Sequence, residues 1–131
     1  MKAVMQEHFS GCAVACVAFI LKTSYRKALK SFEKGTEKAK FKGFYCNEII
    51  QALKKNSYQY SFKYVKRRKN HEYPIGTIIF LQKDSKYPAG HFVANTSMGW
   101  MDPWINFPNL SARAGFRKRI KGIPVYAILP E

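Results

Sequence analysis

The chain has 131 residues, enough for one domain with a buried core. Apolar residues make up 47% and aromatics 15%, a composition that excludes a disordered chain. The 23 Lys and Arg against 8 Asp and Glu leave +15, which suits an acidic partner (nucleic acid, an anionic surface or an acidic peptide) or serves solubility alone.

The first informative stretch is QEHFSGCAVACVAFIL, residues 6 to 21. Ser10 or Gly11 can cap a helix from Cys12 to about Lys22. That helix is apolar nearly all round and belongs at the centre of the domain. It is too short to span a bilayer, which takes ~20 residues. Only Lys2 precedes it, Glu7 and His8 interrupt the approach, and Lys22, Arg26 and Lys27 follow, so no secretion signal is read. A cytoplasmic protein with no membrane span is expected. A second helix fits Tyr25 to Lys34, ended near Gly35, and a third fits Asn47 to Lys55, where Ile49, Ile50 and Leu53 make an apolar face.

The period then changes. YQYSFKYV, residues 58 to 65, alternates as a strand does, and TIIFLQ after Pro74-Ile75-Gly76 is a short buried strand. HFVANT and GWMDPW bracket a tight turn near Thr96 to Met98 and read as a hairpin, and IPVYAIL is a closing strand. No repeat, linker or internal boundary is visible. Helices followed by an antiparallel sheet predict an α+β fold in a single domain, residues 1–131.

Cys12 at the mouth of an apolar helix is either a core residue or a nucleophile. A nucleophilic cysteine needs a base, and the base needs an orienter. Of the three histidines, His8 falls in a loop and His71 in a charged connection. His91 opens a strand whose hairpin partner carries Asp102. If the hairpin loop holds an even number of residues, Asp102 opposes His91 or Val93, and both point to one face of the sheet. An odd loop would separate them. Gln6, just before the helix, can donate a hydrogen bond to a developing oxyanion, with the Cys12 N–H as the second donor. Trp100 and Trp104 flank Asp102 and either shield it or fill the core.

The combination resembles the bacterial cysteine peptidases that process double-glycine leader peptides of bacteriocins, a branch of the papain-like superfamily. The matching elements are Gln6, CAVACVAFI from Cys12, HFVA from His91 and Asp102-Pro103. The family usually has an acidic residue before the cysteine and a glycine after it, where this chain has Gly11 and Ala13. The resemblance implies a papain-like fold in which a buried nucleophile helix packs on a C-terminal sheet. It further implies Cys12 as nucleophile, His91 as base, Asp102 as orienter and Gln6 in the oxyanion hole. The activity implied is thiol-dependent hydrolysis of a peptide or amide bond in a peptide or protein substrate, acidic by the charge balance, with no cofactor and no metal. An acyltransferase of the same fold would use the same residues.

Cys16, one turn deeper than Cys12, reads as core packing, and the spacing of Cys12, Cys16 and Cys46 is a poor match to zinc sites. KYVKRRKNH and FRKRIK concentrate positive charge and permit nucleic-acid binding, though no recognised motif accompanies them. A basic, non-catalytic binding protein on the same scaffold is the alternative.

Overall fold

A computed structural model describes residues 1–66, 72–85 and 87–131. Arg67, Arg68, Lys69 and His71 of the first basic stretch lie outside the described residues. Four helices precede a sheet of six strands. They are α1 (Cys12–Leu21), α2 (Tyr25–Leu29), α3 (Gly35–Phe41) and α4 (Cys46–Lys55). The strands are β1 (Tyr60–Tyr64), β2 (Ile78–Leu81), β3 (His91–Thr96), β4 (Gly99–Asp102), β5 (Gly115–Arg117) and β6 (Pro124–Pro130). The order across the sheet is β1-β6-β2-β3-β4-β5, with every neighbouring pair antiparallel.

α1 is the central helix. Ala13 through Ala18 are all buried, so no side of the helix has a polar face to present to water. It packs on β3 and against α2 and α4, and its side chains join Ile49, Leu53, Ile78, Ala94, Met101 and Ile128 in the main core. Lys22 ends it in the left-handed region, with its N–H returned to Ala18 and Phe19.

The helix expected from Tyr25 to Lys34 divides. α2 stops at Leu29, and Gly35 opens α3 rather than ending a helix. The reason is local: Lys34 takes the left-handed conformation, and a β-carbon on Gly35 would press on the Leu29 carbonyl at 2.6 Å. The alternating stretch from Tyr58 supplies an edge strand. Within β1 only Tyr60 is buried, while Phe62 and Tyr64 stay exposed and meet Tyr126 of β6 edge-on. β5 was not expected from the sequence; its three residues pair with the outer edge of β4. Among the described residues no helix is long and apolar enough to cross a membrane.

Candidate active site

The β3–β4 hairpin sets the first relationship. Thr96 pairs with Gly99, Asn95 with Trp100 and Ala94 with Met101, so the loop is the two residues Ser97 and Met98. Continuing that register puts Asp102 across from Val93, on the face that His91 shares by strand alternation. At this end of the sheet, where β3 begins and β4 ends, His91 Nε2 lies 2.6 Å from Asp102 Oδ1. Both side chains are nearly sealed from solvent, at 5% and 2% exposure. Gly90 makes the entry to β3 feasible. Its φ is +78°, and a β-carbon there would overlap the Phe80 ring.

Cys12 comes to the same place from the helical layer. It is the first residue of α1, is half-buried, and lines a pocket of about 230 Å³ together with His91, Gln6, Tyr87 and Trp104. Gly11 precedes it as the N-cap, and no side chain caps the helix, so its first N–H groups remain for solvent or a ligand. Gly11 is required by a close approach: a β-carbon would run into the Tyr25 hydroxyl.

Electrostatics link the three groups. Burial opposes a charge on His91, but hydrogen bonds to Asp102 and to Cys12 outweigh it, and its pKa is pushed up to about 9. With Nε2 given to Asp102, Nδ1 is the ring nitrogen that remains. Burial likewise opposes the Asp102 carboxylate, yet the His91 bond, the Trp104 N–H at 3.0 Å and Arg117 together hold its pKa below the ordinary value of 3.8. The imidazole is therefore protonated at neutral pH, with the Asp102 carboxylate on one side and Cys12 in the same pocket.

Gln6 is buried and lines the pocket. Its backbone N–H donates to the Pro103 carbonyl at 3.3 Å, which ties the segment before α1 to the Asp-Pro corner. Its side-chain NH2 donates to the carbonyls of His8 (3.1 Å) and Phe9 (2.9 Å), while Oε1 is buried without a partner among the described residues.

Sequence reasoning missed two neighbours. Arg117 Nε reaches Asp102 Oδ2 at 3.3 Å, and its Nη2 donates to the Ile105 carbonyl at 2.8 Å. It belongs to FRKRIK, which reads only as a concentration of positive charge that permits nucleic-acid binding, but pairing across β4 and β5 turns this one guanidinium toward Asp102. Tyr87 stacks flat on the imidazole, with centroids 4.4 Å apart and planes 6° from parallel, and its hydroxyl interacts with Arg117. No local pattern signals either contact, because both depend on where separate loops and strands meet.

The remaining candidates lie elsewhere. His8 Nδ1 is 3.0 Å from the Tyr25 hydroxyl. Trp104 lines the pocket, whereas Trp100 packs with Tyr73 in a second cluster. Cys16 is fully buried, and burial first, then Cys12 and Asp102, raises its pKa well above the usual thiol range. Cys46 also opens a ten-residue helix, but burial pushes its pKa up to about 11. Among the described residues no group of three or more His, Cys, Asp or Glu is arranged to hold a metal ion.

No protein-family model and no curated protein sequence matches the chain. Its structure is similar to the crystal structure of the peptidase domain of Streptococcus ComA, a bi-functional ABC transporter involved in a quorum sensing pathway. The TM-score is 0.60, covering 98% of this chain and 96% of that one, at 17% identity. The likeness extends over nearly the whole of both chains, and the protein has the α+β fold of a papain-like peptidase domain.

Proposed function

We propose that this chain is a cysteine peptidase that cleaves a peptide or amide bond through Cys12, His91 and Asp102. The observation that carries the reading is His91, hydrogen-bonded to Asp102, lining one pocket with Cys12 at the N-terminus of α1. An imidazolium and a helix N-terminus both favour a thiolate over a thiol.

The thiolate attacks the carbonyl carbon, and the pair of electrons moves onto the carbonyl oxygen. The Cys12 N–H and the Gln6 amide are the donors proposed for that oxyanion. Gln6 would release one of its two backbone carbonyls to do so, an exchange favoured because a hydrogen bond to a charged oxygen is about twice as strong as a neutral one. His91 gives its proton to the leaving amine as the C–N bond breaks. It then takes a proton from water as the resulting hydroxide attacks the thioester; the C–S bond breaks, freeing the acid and restoring the Cys12 thiolate beside the His91 imidazolium. Asp102 holds the ring, with Arg117 and Tyr87 as positioning residues around it.

Incubation with a mixed-sequence peptide library, read by mass spectrometry, tests this. New carboxyl termini should appear with the wild-type chain and vanish for Cys12→Ala, while Cys46→Ala retains them. Cleavage that survives Cys12→Ala would end the proposal. Products capped by an added amine would assign the same residues to acyl transfer.

A further inference from the structure

Three lysines line the pocket around Cys12, and no aspartate or glutamate does so among its described residues. Lys38 is ion-paired with Glu48. Lys42, after α3, and Lys83, after β2, approach from two different connections. Both are exposed, and neither has an ion pair among the described residues. Asp84, next to Lys83 in the chain, accepts the Tyr87 N–H at 2.7 Å and is not part of the lining. Asp102 lies behind His91 and is itself bound by Arg117. The side of the site open to a substrate thus presents two ammonium groups without an ion pair among the described residues, and the imidazolium of His91. In a concave site, charges of one sign concentrate ligands of the other.

We infer that the pocket selects a peptide carrying Asp or Glu beside the bond presented to Cys12, with Lys42 and Lys83 as the residues that read the carboxylates. The inference rests on the peptidase reading and adds the class of substrate. A carboxylate is favoured over a nucleic-acid phosphate because the cations surround a thiol in a cavity of about 230 Å³, room for the side chains flanking one bond. The charge that the whole chain carries, +15, acts in the same direction at longer range.

Paired alkylating agents of nearly equal size test the charge directly: anionic iodoacetate and neutral iodoacetamide, with labelling resolved by residue. The ratio of the two rates at Cys12 should exceed the ratio at Cys46. In Lys42→Gln/Lys83→Gln it should fall by about threefold or more in dilute buffer, and by much less at about 0.5 M salt, where charges are screened. Lys54→Gln, outside the pocket lining, should leave the ratio as it was. A capped tetraglutamate peptide should slow iodoacetamide labelling of Cys12, and a capped tetralysine should not. An unchanged ratio in the double variant overturns the inference, as does protection by a thymidine oligonucleotide but not by tetraglutamate. Fast Cys12 labelling with an unchanged ratio removes the acidic preference alone. Cys12 labelling no faster than Cys46 removes the peptidase reading beneath it.

Discussion

Replacing Asp102 measures what the buried network is worth. The carboxylate accepts three hydrogen bonds, from His91, from the Trp104 N–H and from Arg117, and two of those donors are cationic. Asp102→Ala strands both cations, and breaking a buried pair in this way costs about 3–5 kcal/mol. The imidazole gives an independent figure: a rise from 6.5 to about 9 corresponds to roughly 3 kcal/mol, shared between Asp102 and Cys12. Because the folded pKa of His91 is raised, its contribution is complete below about pH 6.5 and is lost as pH climbs through 9. The folded pKa of Asp102 is depressed, so its contribution is present above 3.8 and is lost as pH falls through the lower folded value. The penalty for Asp102→Ala is therefore greatest near pH 4–6.5 and shrinks towards pH 9. With a urea slope of about 1.5 kcal/mol per molar, the midpoint at pH 5.5 should fall by about 2–3 M. Asp102→Asn keeps an amide oxygen for His91 and Trp104 but turns a donor against Arg117, so about 1.5–3 kcal/mol should be lost. A loss under about 1 kcal/mol for Asp102→Ala would refute the network, as would a penalty constant from pH 6 to 9.

Two further outcomes follow from the same contacts. Arg117→Met should cost about 1.5–3 kcal/mol and, by removing a cation from Asp102, move the acid-side loss of stability to higher pH; an unmoved acid limb would show that the guanidinium does not act on the carboxylate. Gly11→Ala should cost about 1–3 kcal/mol by forcing Tyr25 away, with part regained when Tyr25→Phe is added; an unaltered thermal or urea midpoint would show that the close approach does not matter.

The hairpin geometry was readable because it rests on parity. A two-residue loop fixes an odd index sum, and that sum places Asp102 and His91 on one face. α1 was readable because its apolar run has abrupt ends, Gly11 before it and Lys22 after it. α3 was not, since Gly35 looks like a stop, and only the fit of its bare backbone against Leu29 makes it a start. Arg117 and Tyr87 were hidden for a different reason. Their roles are contacts between residues far apart in sequence, and nothing in FRKRIK distinguishes the one inward guanidinium from its exposed neighbours. For Gln6 the sequence suggested an amide able to donate to an oxyanion, and it could not show that the side-chain NH2 donates to the carbonyls of His8 and Phe9.

The most direct measurement compares two cysteines that each open a ten-residue helix. Cys12 shares its pocket with a protonated His91, whereas Cys46 has no histidine partner among the described residues and its pKa is raised to about 11. Site-resolved iodoacetamide labelling of the folded chain from pH 6 to 9 should find Cys12 reacting far faster than Cys46 at pH 6–7. His91→Ala should slow Cys12 in that range and move its profile towards higher pH, and His8→Ala should leave it in place. Faster labelling of Cys46, or a Cys12 profile indifferent to His91→Ala, would make Cys12 an ordinary residue at the start of a buried helix and contradict its role as nucleophile.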